Sequence, residues 1–366
     1  MCADRASVRL RRGTVLAVRP TPSTALELEV EVDGRPAAAL AYPELTGPVD
    51  VGDVVVVNTT ARWLDLGTGG MDLVMAVEGA APTELHHAGR VMKARYTPSQ
   101  AAVLSVEEVH RDVLESSAGL RSTPVVGAPL HSMLGPIAAG AKAAAGARVV
   151  YLMTDGAALP GAFSRLLPRL REAGLVDGFI TCGQAFGGDL EAVSVWTGLL
   201  AAVEVLGAEV VVAADGPGNL GTDTKWGVSA LGSGNLLNAA QAVGGRPVAA
   251  LRMSFTDPRE RHRVVSHHSL TILGDVCRVP ANVAVPVIDE EATRTQVWDV
   301  LRSRKLEDRH QLIEVDGRPG VELLSRLGVE VRSMGRSAGD DPIFFLAASA
   351  AGVLAGRMAA NARRYR

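Results

Sequence analysis

The alternation of apolar and polar positions changes period near residue 100, and the two periods predict two architectures. In ALELEVEVDGR (25–35), Leu26, Leu28, Val30 and Val32 alternate with Glu27, Glu29 and Glu31, the spacing of a strand with one wet face. Asp33-Gly34 then reads as a hairpin turn, since such turns need residues that tolerate positive φ. RRGTVLAV, VGDVVVVN (51–58) and LGTGGMDLVMAVEG (66–79) read as further short strands, the last behind a glycine turn. Together, residues 8–79 predict a small antiparallel barrel or curled sheet.

Beyond a polar connector the pattern becomes apolar strand, small-residue loop, amphipathic helix, repeated. PVVGAP, RVVYLMTD, GFITCG, EVVVAADG and PVAALRMSF each begin such a unit, and HQLIEVDG and VEVRSMG are two further strand candidates, with helices near 321 and 342. Successive βα units predict a mainly parallel sheet with helices on its faces. The expected organisation is a small β-barrel-like domain (1–80), a connector (81–99) and a doubly wound α/β domain (100–366).

Composition narrows this picture. Of the 366 residues 47% are hydrophobic but only 4% aromatic, with 39 glycines, so the core must be built from Ala, Val and Leu with close backbone approach. A net charge of -3 and the lack of an aromatic stripe argue against nucleic acid. The three cysteines (Cys2, Cys182, Cys277) are too scattered for a disulfide framework or a structural zinc site, which fits a reducing cytoplasm. MCADRASVRLRRGTV has no apolar continuation resembling a secretory signal. PIFFLAASAAGVLAG (342–356) is shorter than the roughly 18 residues of a membrane span and reads as a buried, Ala-rich helix. Glycine-rich loops and that helix are equally compatible with a homo-oligomer and a monomer.

In open α/β sheets, ligands bind outside the carboxyl ends of the strands. There the sequence offers His131, Thr154-Asp155-Gly156, Cys182-Gly183 with Asp189 and Glu191, Asp215-Gly216-Pro217-Gly218-Asn219, and the stretch Ser254 to Ser269. DPRERHRVVSHHS (257–269) holds His262, His267 and His268 among arginines. Ser266 suits the N-cap of a short helix whose first turn carries His267 and His268. Arg259 and Arg261 lie just upstream, and the stretch with Arg252 has a positive excess, so an anion cradle is expected. A metal reading is disfavoured because His262 and His267 are five apart and adjacent histidines diverge on a helix.

Gly216-Pro217-Gly218-Asn219-Leu220-Gly221 spells a dinucleotide fingerprint, but it follows a late strand, contains proline and opens no helix at once, which argues against a nicotinamide cofactor. Its amides with Gly216, Gly218, Asn219, Gly221, Thr222, Thr224 and Lys225 are expected to help hold an anion. No Walker sequence occurs, and Gly335-Arg336-Ser337-Ala338-Gly339 lacks the downstream histidine of a nucleophile elbow. Cys182 is better placed as a nucleophile, although buried structural cysteines are commoner.

APLHSML, YLMTDGAALP, QAFGGDLEAV, ADGPGNLGTDTKWG and SFTDPRERHRVVSHHS, following the barrel-like segment, resemble a bacterial family of unknown function found mainly in actinobacteria, firmicutes and relatives, over nearly the whole chain. The resemblance implies a cytoplasmic bacterial protein and carries no reaction, cofactor or catalytic residue with it.

Two functions follow from these expectations. One is an enzyme of hydrolase or transferase type on a small anionic metabolite, phosphorylated ones included, held by Arg259, Arg261, His262, Ser266 and the Asp215 to Thr224 loop; His131, Asp155, Asp189, His267 and His268 are its acid/base or metal candidates, gathered in one site. The other is a non-catalytic ligand sensor or assembly protein using the same edge, with the barrel as its partner-binding module.

Overall fold

The computed structural model describes residues 7–66, 70–81, 84 and 88–364. The glycine turn expected at 67–69, and connector residues 82, 83 and 85–87, lie outside the described residues. Two compact units divide the chain.

The first unit is a closed barrel of five strands, β1 (Leu10–Pro20), β2 (Leu26–Val32), β3 (Arg35–Ala41), β4 (Val54–Asn58) and β5 (Asp72–Val77), in the order β1-β2-β3-β5-β4. The alternation works as expected: Leu28, Val30 and Val32 join Val15, Val55, Val57 and Val74 in the barrel core. Asp33 and Gly34 take φ of 53° and 71° and close the β2–β3 hairpin, with Val32 opposite Arg35. One pairing departs from an antiparallel barrel, because β3 runs parallel to β5. Ala162–Arg165, remote in sequence, also belong to this unit, where Ala162 and Phe163 pack with Ala25, Leu40 and Tyr42.

The second unit carries an eight-stranded, all-parallel sheet. Its strands are β6 (Pro124–Gly127), β7 (Val149–Thr154), β8 (Gly178–Cys182), β9 (Leu190–Ala192), β10 (Val210–Asp215), β11 (Arg246–Ala250), β12 (Asn282–Pro286) and β13 (Gln311–Val315), in the order β9-β8-β7-β10-β6-β11-β12-β13. Both faces are covered, and period two sorts the side chains between them. Val126, Tyr151, Met153 and Val212 meet helices α1 (Leu134–Ala145), α2 (Leu166–Glu172), α7 (Arg318–Arg326) and α8 (Pro342–Arg363). Val125, Leu152 and Val211 meet α3 (Val195–Glu204) and α4 (Gly232–Ala242). The short helix α5 (His267–Thr271) follows β11, and α6 (Glu291–Ser303) follows β12.

The low aromatic content has its counterpart in α1 and α8. A Cβ at Gly352 would lie 1.9 Å from the Ile137 carbonyl oxygen, and one at Gly140 2.4 Å from that of Ser349, so the two helices touch backbone to backbone. By length and composition α8 could cross a membrane, but its most apolar window is 83% buried inside this unit, as expected of a core helix.

One expectation about strands needs correction. VEVRSMG forms no strand: Ser333 and Arg336 close a turn on each other, with Met334 and Gly335 at φ of 50° and 80°, a conformation incompatible with a ladder. The strand next to β13 is instead β12, from NVAVP.

Candidate functional site

The edge at the carboxyl ends of β7, β8 and β10 holds a cleft of about 720 Å³. Its floor is Thr154, Asp155, Cys182 and Asp215, and its walls come from Ser194 to Trp196 at the start of α3 and from the Asn235 to Ala239 face of α4. Ser194 starts α3 by accepting the Thr197 N–H in a capping box.

Asp215 ends β10 opposite Thr154. Its Oδ1 accepts the Thr154 hydroxyl at 2.6 Å and the Gly156 N–H at 3.1 Å, and its Oδ2 accepts the Asn219 amide at 3.2 Å. Burial nevertheless raises its pKa above the ordinary carboxyl value, and the charge of Asp155 adds to the rise. Asp155 is exposed, with Oδ2 accepting the Gln184 N–H at 2.8 Å. Glycine makes both arrangements possible: a Cβ at Gly156 would sit 2.5 Å from the Asp215 carboxylate, and one at Gly183, whose φ is +66°, 2.2 Å from that of Asp155. The Cys182 thiol, at the cleft floor, donates to the Met153 carbonyl at 3.6 Å.

The other candidates from the strand ends do not join this cleft. His131 is buried below the edge, its Nδ1 3.0 Å from the Tyr151 hydroxyl, which itself lies 3.1 Å from the Asp215 carbonyl. A carbonyl only accepts, so Tyr151 donates to it and His131 Nδ1–H donates to Tyr151. Burial depresses the His131 pKa to about 4, and the ring is not among the residues that line the cleft. Asp189 turns back to the start of β8: it accepts the Phe179 N–H at 2.9 Å and pairs with Arg171 at 2.7 Å, a fastening of the loop that leads into β9. Glu191, buried beside it, accepts the Thr181 hydroxyl and the Gly187 N–H.

The glycine loop 216–227 is not an open nest of amides. The Gly227 carbonyl accepts both the Thr222 N–H and the Thr222 hydroxyl, while the Thr224 hydroxyl accepts the Gly227 N–H, so the threonines close the turn on itself. Gly218 supplies positive φ (89°), a Cβ at Gly216 would meet the Ala158 carbonyl oxygen at 2.5 Å, and a Cβ at Gly221 would meet only the Val228 side chain, at 3.7 Å. Asn219 ties the loop to Asp215 and to Ser229. Lys225 pairs with Asp275 at 3.0 Å.

The histidine stretch forms a second cluster. Met253–Ser254 pairs antiparallel with Val264–Val265, and the loop between them ends in a tight turn, Glu260–His262. Ser266 caps α5, accepting the His268 N–H as expected. This hairpin and cap correct the expectation of diverging histidines, because the turn folds His262 back onto the first turn of α5. The ring centroids of His262, His267 and His268 stand 5.2, 4.8 and 4.2 Å apart in the three pairs, and one nitrogen from each lies within 4.8 Å of the others. Among the described residues, Nε2 of both His267 and His268 is buried without a hydrogen-bond partner. Burial, followed by the charge of Arg252 and other cations, lowers the pKa of His262 to about 3; burial and the neighbouring His267 lower that of His268 to about 4.

The arginines here form ion pairs, although Nε of Arg261 is buried without a hydrogen-bond partner among the described residues. Arg259 grips buried Asp257 with Nε and Nη2 at 3.0 and 2.9 Å, and Arg252 and Arg336 reach the same carboxylate at 3.4 and 3.3 Å. Asp257 is thereby held well below the usual carboxylate range despite its burial. Arg261 pairs with Asp223 at 2.7 Å. The two arginines of the expected anion cradle thus have separate partners: Arg259 belongs to a buried ion-pair lattice around Asp257 that closes the hairpin, and Arg261 to a surface pair with Asp223. Asp223, Arg336 and the buried Asp341 carry no local motif that marks them as partners in these contacts. Trp196 and Asn235 likewise sit on ordinary helix faces that only the packing turns toward the cleft.

A family model described as a protein of unknown function (DUF3866) matches residues 38–352. No curated protein matches the chain.

Proposed function

The chain belongs to this family of unknown function, and since membership brings no activity with it, we propose from the geometry that the protein is an enzyme performing proton transfer on a small polar molecule in the Asp155–Asp215 cleft. The observation that carries this reading is a pair of carboxyl groups on one cleft floor, one buried with its pKa raised and one exposed to solvent. Environments that separate two carboxyl groups in this way suit one as general acid and the other as general base. Asp215 is the acid and Asp155 the base. The volume is in the range of small-molecule sites, and Trp196, Leu236 and Ala239 offer an apolar wall.

Among the described residues no lysine, arginine or histidine lines this cleft, which favours an uncharged or cationic substrate with hydroxyl or amino donors for the carboxylates. This moves the ligand away from the anion that the arginine-rich stretch suggested. Cys182 and Cys277 are buried and form no disulfide among the described residues, which supports a reducing, cytoplasmic setting.

Thermal unfolding against a panel of polyols, amines and phosphorylated metabolites tests the reading. A ligand at 100 times its dissociation constant adds about 2.7 kcal/mol of stability. The expected hit is an uncharged or cationic compound whose effect disappears in Asp155→Asn and Asp215→Asn. Stabilisation by phosphorylated compounds alone, lost in Arg261→Ala, would restore the anionic ligand.

A further inference from the structure

The three-histidine cluster is outside the cleft, and the proton-transfer reading makes no use of it. Its most telling feature is a cost with no visible return. A buried polar atom without a partner is unfavourable, and here, among the described residues, Nε2 of His267 and of His268 are both in that state, side by side. A third ring, His262, 99% buried, faces both. Backbone strain adds to the cost: Val264, β-branched, is held at φ of 61° between His262 and Ser266. Packing alone does not require three imidazoles to meet in this way.

We propose that His262, His267 and His268 form a binding site for a divalent transition metal of the zinc type. The donor set is imidazole only, which suits zinc and its neighbours and not magnesium or calcium, whose ligands are oxygens. Ligand nitrogens at about 2.0–2.1 Å from a tetrahedral metal stand roughly 3.3 Å apart. The three nitrogens already lie within 4.8 Å of one another, so rotation of the side chains completes the approach. Three protein ligands leave the fourth position open, the pattern of catalytic and not of structural zinc.

The outer contacts agree with this assignment. His262 Nδ1 is 2.8 Å from the Ser266 hydroxyl, which fixes that ring and leaves Nε2 for the metal when Nδ1–H donates. The surrounding arginines are largely neutralised, Arg252, Arg259 and Arg336 by Asp257 and Asp341, and Arg261 by Asp223. The remaining positive charge suits an anionic occupant of the open position, such as hydroxide or a carboxylate.

The test uses the full-length chain, stripped with a chelator and titrated with zinc, and with cobalt(II) as a visible reporter of tetrahedral nitrogen coordination. One equivalent is expected to bind. His267→Ala and His268→Ala each weaken binding by more than about 100-fold, and Ser266→Ala, which removes the outer hydroxyl together with the cap of α5, by about 10- to 100-fold. Asp215→Asn in the cleft leaves metal binding unchanged, so failure here and failure of the cleft reading are distinguishable. Because the native chain is titrated directly, misfolding of a variant does not protect the proposal. Absence of stoichiometric zinc or cobalt binding overturns it, as does binding that survives both histidine substitutions, or stabilisation by inorganic phosphate with none by metal.

Discussion

Asp257 shows how far the role of a charged residue depends on partners remote in sequence. It is buried beneath three guanidinium groups, and Arg252, only 6% exposed, has its pKa pulled down to about 10 chiefly by burial. Asp257→Asn keeps the shape, removes the charge and strands Arg252 in a poorly solvated position. The expected cost is about 3–5 kcal/mol, read from urea midpoints. Arg261→Ala breaks a pair whose other member, Asp223, is 86% exposed, and should cost less than about 1 kcal/mol. Similar losses in the two variants would contradict the division between a closing lattice and a surface pair. The positive excess of DPRERHR was legible in the sequence, but its neutralisation was not, because Arg336 and Asp341 arrive from a turn about eighty residues later. The histidines were misread for a similar reason. The rule that ligands on a helix stand three or four apart does not reach across a tight turn, a hairpin strand and a cap.

At the scale of elements, the glycines of α1 and α8 let the two helices touch backbone to backbone. Gly352→Ala forces a methyl against the Ile137 carbonyl, where neither helix backbone has room to yield. A loss of about 1–3 kcal/mol or more is expected. Gly232→Ala is the matching control, since its Cβ would meet nothing within 4 Å, and in the first turn of α4 it should be neutral or stabilising by up to about 1 kcal/mol. Thermal unfolding of both variants separates backbone contact from a general sensitivity of helices to glycine replacement. The period-two strands and the βα repeat were legible because both reflect which face meets the core. VEVRSMG had the right alternation as well, but Met334 and Gly335 turn the chain instead. NVAVP lies deep in the sheet, where a continuous apolar run replaces the alternation that marks a strand in sequence. The Asp155 and Asp215 floor was legible from strand ends alone. Asp189 was not, because the loop after β8 returns to start another strand.

For the molecule as a whole, the buried histidines make folding stability depend on pH, and His131 provides the clearest share. In the unfolded chain its imidazole takes up a proton near 6.5, whereas in the folded protein burial against Tyr151 delays protonation to about 4. Between these values the unfolded chain binds more protons, so this contribution is fully present above 6.5 and is lost as pH falls through 4. The interval corresponds to about 3 kcal/mol. His262 and His268, also depressed, act in the same direction and add to the total acid loss. Asp215 acts oppositely: its raised pKa contributes stability at low pH that disappears as the carboxyl ionises in the folded state. Asp257, held low, is affected only under more acidic conditions. The share of His131 is isolated by denaturant unfolding of the native chain and His131→Gln across this range. The native chain should lose about 3 kcal/mol more than the variant between pH 6.5 and 4. Parallel curves would mean that His131 gains a proton without leaving its place beside Tyr151, and would return it to the list of groups able to exchange protons at the sheet edge.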